Sequence, residues 1–190
     1  SLIHNCFRTN LTIDNKDIII DPGVNALRWI SSKVTNPIAI LNTHGHFDHV
    51  WSNQEVKDKY NIKIYTPKDD NFMLEKDPYG LGMPPSTADF LIKPDEEIEL
   101  EGIKIKFHHL PGHTPGCSAI QINEHLFTGD FIFKGTIGRF DFPNSDAKLM
   151  KQSINKILKW TKDFHIYPGH GDKTTLKSEI QTLKQWERHI

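Results

Sequence analysis

The stretch Thr43-His44-Gly45-His46-Phe47-Asp48-His49 places four side chains able to bind a metal ion between positions 44 and 49. Histidines at i and i+2 in an extended or tightly turning segment point their imidazoles the same way, whereas on an α-helix they would lie roughly 200° apart. Asp48 and His49 then aim at a second point nearby. Three later motifs each hold one more donor among small, turn-forming residues: His113 in Pro111-Gly112-His113-Thr114-Pro115-Gly116, Asp130 in Thr128-Gly129-Asp130, and His170 in Pro168-Gly169-His170-Gly171. Glycine there lets backbone approach an ion without side-chain obstruction. Five histidines and two aspartates are about twice what one tetrahedral zinc takes, and they match two metals about 3.5 to 4 Å apart that share a carboxylate and a water. The expected division gives His44, His46 and His113 to one ion and Asp48, His49 and His170 to the other, with Asp130 between them. The chemistry this implies is hydrolysis, because two divalent ions lower the pKa of a shared water to about 7 and polarise a carbonyl. Asp48 and Asp130, which fix the cluster and can accept a hydrogen bond from that water, are the expected catalytic carboxylates. No Ser-His-Asp or Cys-His nucleophile is apparent.

The elements around these motifs are expected to deliver them at strand ends. Phe7 to Ile13 and Asp17 to Ile20 read as a hairpin about the turn Asp14-Asn15-Lys16, which Asp21-Pro22-Gly23 ends. Ala26 to Ser32 reads as a short helix with Asn25 as its N-cap, and Pro37 to Leu41 as a buried strand leading into the first motif. Val50 to Tyr60 reads as a helix and Ile62 to Thr66 as a strand. Between Pro67 and Pro94 a short helix is expected, then a long irregular loop rich in Gly and Pro, of the kind that often forms a lid or specificity element. Hairpins follow at Glu96 to Leu100 with Ile103 to His109, and at Ser118 to Ile122 with Leu126 to Thr128 about Asn123-Glu124-His125. A helix after Ser145 carries Leu149, Ile154, Ile157, Leu158 and Trp160 on one stripe. His165 to Tyr167 is a last strand and Thr175 to Trp186 a closing helix. Two strand-rich halves, each followed by helix, point to two facing sheets covered by helices.

A chain of 190 residues with 37% hydrophobic content buries a substantial core, and residues 1–190 are read as a single domain. Lys and Arg number 23 against 24 Asp and Glu, so no net field favours nucleic acid or an anionic membrane. Two cysteines, Cys6 and Cys117, are too few for a disulfide framework. With no membrane-length apolar run and no signal-peptide pattern, the cytoplasm is the expected location. The remaining histidines, His4, His108, His109, His125, His165 and His189, fit no ligand slot. Trp29, Trp51, Trp160 and Trp186 are spaced as core residues.

The series THGHFDH, PGHTPG, TGD and PGHG resembles the metallo-β-lactamase-fold hydrolases, and most of all their glyoxalase II (hydroxyacylglutathione hydrolase) branch in its small bacterial form. The family signature H-x-H-x-D-H falls on His44, His46, Asp48 and His49, and its later ligands fall on His113, Asp130 and His170. The resemblance implies an α+β fold, a four-layer αββα sandwich, and two divalent metal ions, zinc first, with iron or manganese as alternatives. It also implies that Asp21 supports the ligand shell from a strand end. Arg139, in Gly138-Arg139-Phe140-Asp141-Phe142-Pro143, matches a basic position that contacts substrate. The implied substrate is a small thioester or ester of the S-lactoylglutathione type.

Departures from the family pattern also carry expectations. Glyoxalase II proper has an added helical domain that helps hold glutathione, where this sequence runs only about twenty residues past His170. The family usually has a strand before the Asn-Cys that matches Asn5-Cys6, and none is read here. A Cys commonly stands at the Asp130 position in true β-lactamases, which argues against antibiotic hydrolysis. The alternative activity is that of a mononuclear iron persulfide dioxygenase, which shares Pro-Gly-His-Thr-Pro-Gly-Cys at 111–117. A non-catalytic metal-binding module and a nuclease of the same fold stand further back.

Overall fold

The computed structural model describes the backbone of residues 1–5 and 8–190 and the side chains of 1–2 and 9–190. Cys6 and Phe7, and with them the Asn-Cys match and the start of the first expected strand, lie outside the described residues. The chain divides into two units, Ser1–Lys93 and Pro94–Ile190.

The first unit contains, in order, β1 (Leu2–Asn5), β2 (Arg8–Ile13), β3 (Lys16–Ile20), α1 (Ala26–Ser31), β4 (Pro37–Leu41), α2 (Phe47–Val50), α3 (Asn53–Tyr60), β5 (Lys63–Pro67), α4 (Asn71–Lys76) and β6 (Phe90–Ile92). Among the described residues these strands form one sheet in the order β1-β2-β3-β4-β5-β6. Asp14 and Asn15 take φ values of 48° and 60°, a tight two-residue turn whose twist suits a hairpin, and so Lys16 already belongs to β3. A strand does stand ahead of the Asn-Cys position: β1 pairs antiparallel with β2, from Leu2 opposite Leu11 to Asn5 opposite Arg8. From β3 onward the pairing is parallel. Parallel strands present their C-terminal ends along one edge of a sheet, so the loops after β3, β4 and β5 start together.

Two local expectations change. Asn25 occupies the cap position of α1 but makes no side-chain cap; Ser52 Oγ accepts from the Ala26 N–H instead, at 3.3 Å. The expected helix over Val50 to Tyr60 is two helices, because Ser52 sends its own N–H to the Pro22 carbonyl at 2.9 Å rather than back along the helix. Asp48 and His49 consequently sit on the short α2. The irregular segment after α4 ends in β6, an edge strand that its Gly- and Pro-rich surroundings conceal. The core of this unit includes Ile19, Ala26, Ile30, Ile40, Val56 and Ile64, all buried, each large aliphatic contributing about 1.5–3 kcal/mol.

The second unit contains β7 (Glu97–Leu100), β8 (Ile103–His109), β9 (Ser118–Ile122), β10 (His125–Gly129), β11 (Ile132–Phe133), β12 (Thr136–Ile137), α5 (Ala147–Ile157), β13 (His165–Pro168), β14 (Thr174–Thr175) and α6 (Leu176–His189). Its main sheet runs β14-β13-β10-β9-β8-β7. β10 and β13 are parallel, which places the residues after each at the same edge. Asp146 caps α5 by accepting from the Leu149 N–H at 2.9 Å. The buried stripe of α5 is Met150, Ser153, Ile154 and Ile157; Ile154 and Ile157 are where they were expected, Met150 takes the place expected of Leu149, which is only half-buried, and Leu158 and Trp160 pack against the same core partly buried. Ser153 is tolerated there because its hydroxyl donates to the Pro111 carbonyl at 2.6 Å. Trp160 and Trp186 pack at the rim of this core, as Trp29 and Trp51 do in the first unit. No helix among the described residues is long and apolar enough to cross a membrane.

Candidate metal centre

In the first unit the loop after β4 carries His44 and His46, and α2 carries Asp48 and His49. Asp21, in the loop after β3, joins them: one donor atom from each of Asp21, His44 and His49 lies within 4.8 Å of the others. Its left-handed φ of 49° turns the carboxylate inward. There it accepts the Thr43 N–H at 2.8 Å and the Thr43 hydroxyl at 2.6 Å, and its Oδ2 lies 3.0 Å from His49 Nδ1. Thr43 Oγ1 in turn lies 3.0 Å from His44 Nδ1. Both Nδ1 atoms thus face oxygen, and the tautomer consistent with metal binding leaves Nε2 as the ligand atom in each. His46 differs, since its Nε2 lies 3.0 Å from the Tyr79 hydroxyl, so that Nδ1 is the atom it could offer a metal. The rings of His44 and His46 sit 5.0 Å apart, edge to face. Asp48, the least buried of the set, has Oδ2 at 3.6 Å from His49 Nε2.

Gly45 is needed between the two histidines for close packing. A Cβ there would lie 2.7 Å from the Asp70 carbonyl oxygen and 3.1 Å from the Met73 Cβ. Asp70, fully buried, takes the Gly45 N–H at 3.0 Å. Behind the loop, Asn42 and Asn53 exchange side-chain amide hydrogen bonds at 3.1 and 2.9 Å, and Thr66 donates to Asn42 at 2.7 Å. Buried and mutually satisfied, this network fixes the start of the loop.

The second unit gathers the other three donors. Asp130 Oδ2 lies 3.3 Å from His113 Nε2 and 3.2 Å from His170 Nε2. Asp130 and His170 meet because the Gly169 N–H donates to the Gly129 carbonyl at 2.7 Å, tying the ends of the two parallel strands. His113 Nδ1 faces the Arg139 carbonyl at 2.7 Å, so here too Nε2 is the outward atom. The Arg139 guanidinium, by contrast, forms a two-pronged pair with Asp141 at 2.8 and 2.9 Å, over the Phe142 ring at 4.2 Å. It is exposed, and its hydrogen bonds to Asp141 push its pKa up.

Tyr79, Asp70, Thr43 and the Arg139 carbonyl escape sequence reading. Asp70 and Thr43 stand beside recognisable motifs, whereas a tyrosine in a Gly- and Pro-rich loop and a backbone carbonyl carry no spacing signal. The histidines left outside the ligand set are engaged elsewhere: His108 with Gln121, His109 with the Pro115 carbonyl and His189 with the Gln185 carbonyl. His125 and His165 form a ring pair, and the side chain of His4 is outside the described residues.

A family model described as the metallo-beta-lactamase superfamily matches residues 4–185. The chain belongs to that superfamily. It is 38% identical over 180 residues to a protein of Haemophilus influenzae named hydroxyacylglutathione hydrolase GloC, covering 85% of this chain and 82% of that one. Among solved structures, the BLEG-1 B3 metallo-beta-lactamase is 30% identical with a TM-score of 0.83, covering 95% of this chain and 96% of that chain. TTHA1623 in a di-iron-bound form is 29% identical with a TM-score of 0.77, and 96% of each chain is covered. These likenesses make the fold the superfamily's αββα sandwich, with sheets flanked by helices. The fold and the clustered His and Asp donors are those of a metal-dependent hydrolase.

Proposed function

We propose that His44, His46, Asp48, His49, His113, Asp130 and His170 together hold two divalent metal ions, zinc first, and that the protein hydrolyses small thioesters or esters of the S-lactoylglutathione type. The whole of residues 1–190 is read as one hydrolase domain. The observation that carries the reading is the donor set: the oxygen partners of His44, His49 and His113 sit on Nδ1 and leave Nε2 as the ligand atom, as a metal centre needs. Two ions so held would supply Lewis acidity and a water acidic enough to react at neutral pH. The chain's own groups do the rest. Asp21 and Thr43 orient His49 and His44, and the Arg139 carbonyl orients His113. Asp48 and Asp130 supply negative charge that offsets the ions and can accept a hydrogen bond from the attacking water. Arg139 stands ready to exchange Asp141 for an anionic substrate group, since an exposed ion pair is easily replaced.

The likeness to the Haemophilus influenzae hydroxyacylglutathione hydrolase supports the thioester reading. The likeness to BLEG-1 favours a second one, β-lactam hydrolysis. A substrate panel separates them: the zinc- or manganese-loaded protein is expected to hydrolyse S-lactoylglutathione and to leave a chromogenic cephalosporin unchanged. Turnover of the cephalosporin alone would transfer the assignment to lactamases, and oxygen uptake by iron-loaded protein with glutathione persulfide would transfer it to the dioxygenases.

A further inference from the structure

The segment between α4 and β6 would be an unremarkable irregular connection but for one contact: Tyr79 reaches His46, with hydroxyl and Nε2 3.0 Å apart and ring centroids 5.6 Å apart. The segment is built to deliver that side chain. Asp77, at φ 39°, accepts the Gly82 N–H at 2.8 Å and the Met83 N–H at 3.3 Å through Oδ2, and its carbonyl accepts the Gly80 N–H at 3.0 Å. Gly80 and Gly82 take positive φ values of 62° and 76°, so residues 77–83 close into a small loop with Tyr79 near its tip. Met83 is buried against Val50 and Leu74, which anchors the loop to the helices that flank the His46 motif. Beyond it, the Ser86 N–H donates to the Leu74 carbonyl at 3.0 Å and the Asp89 N–H to the Ile64 carbonyl at 2.9 Å.

We propose that Tyr79, carried by the 77–83 loop, is a positioning residue of the metal centre, its hydroxyl holding His46 in the ring orientation and tautomer that direct Nδ1 toward the ion. The inference rests on the proposed function above. A neutral phenol is suited to the task. A phenol ordinarily keeps its proton at neutral pH. Its oxygen lone pair then accepts the His46 Nε2–H, as carbonyl and carboxylate oxygens do for other metal-bound histidines. His44 and His49 take their oxygen partners from Asp21 and its neighbour Thr43, next to the strand ends. His46 points the other way round, and its partner has to come from the far side, where this loop stands.

The test uses Tyr79→Phe, which keeps the ring and removes only the hydroxyl. Zinc affinity, read by competition with a chromophoric chelator, is expected to fall roughly ten- to a hundredfold at one of two sites, with the thermal midpoint of the metal-free variant unchanged. In nitrogen-15 spectra of the metal-free wild type, His46 should be the tautomer protonated at Nε2, and the variant should show a mixture. Asp77→Ala, which opens the loop, should lower zinc affinity in the same sense while leaving Tyr79 chemically intact. Wild-type affinity in Tyr79→Phe would overturn the inference, as would a fall in affinity matched by a lower metal-free midpoint, which would mark a merely structural role. If the wild type binds two ions and the variant behaves identically, only the role of Tyr79 falls. A wild type that binds none overturns this inference and the proposed function together.

Discussion

Asp130 and Asp21 show how differently two aspartates at strand ends can meet histidines. Asp130 lies between two histidine Nε2 atoms and should touch the ions directly. Asp130→Ala is expected to lower thioester hydrolysis by at least about a hundredfold, the upper end of what loss of an outer partner costs, and to lower metal content by elemental analysis. Full activity with both ions retained would show that this carboxylate does not bridge. Asp21 acts through Thr43 and His49, and Asp21→Ala leaves a buried N–H and hydroxyl without their acceptor. It should destabilise the metal-free protein by about 1–3 kcal/mol in denaturant melts and weaken zinc binding roughly ten- to a hundredfold. The THGHFDH, TGD and PGHG motifs made the donors legible because their neighbours are dictated by close backbone approach. Arg139 was legible only by resemblance. Its carbonyl, not its side chain, touches a donor histidine, and the guanidinium is engaged with Asp141. If it anchors an anionic substrate group, Arg139→Ala should raise KM for glutathione thioesters, leave kcat unchanged, and spare small uncharged thioesters.

At the scale of elements, most strands were legible from alternation and turn residues, since the hairpin turns at Asp14-Asn15, Glu101-Gly102 and Asn123-Glu124 each place an Asp, Asn or Gly at positive φ. What escaped was set by tertiary contacts. Ser52 breaks a helix that local propensity would continue, because its N–H is claimed by Pro22, and β6 exists because it has β5 to pair with. Gly138 belongs to the same class. A Cβ there would overlap the Asp130 carbonyl oxygen, so Gly138→Ala must displace the backbone that presents Asp130. The expected cost is about 1–3 kcal/mol or more, read as a lower thermal midpoint together with lost metal binding.

Asp17, at the start of β3, gives the first unit a testable pH dependence. Burial pushes its pKa up, but hydrogen bonds from Thr12, the Asn36 and Thr35 N–H groups and Asn10 outweigh it, leaving the carboxyl below its usual 3.8. Between the lowered value and 3.8 the unfolded chain binds more protons, so stability rises with pH. The contribution is complete above 3.8 and is lost as pH falls through the folded value. Between the folded value and 3.8, acid melts of Asp17→Asn should be flatter than those of the wild type, and equal slopes there would contradict the assignment.

For the molecule as a whole, two successive halves each bring strand C-termini and their loops to one edge of a sheet, and each contributes a donor cluster. The balanced charge, 23 basic against 24 acidic residues, offers no broad field for a polyanion and suits a small substrate. The most direct test of the proposed function is a titration of metal-free protein with zinc, following bound metal and S-lactoylglutathione hydrolysis together. Hydrolysis is expected to rise to its full value as loading approaches two ions per chain. Saturation at one ion, or two bound ions with no hydrolysis above buffer, would contradict a binuclear thioesterase.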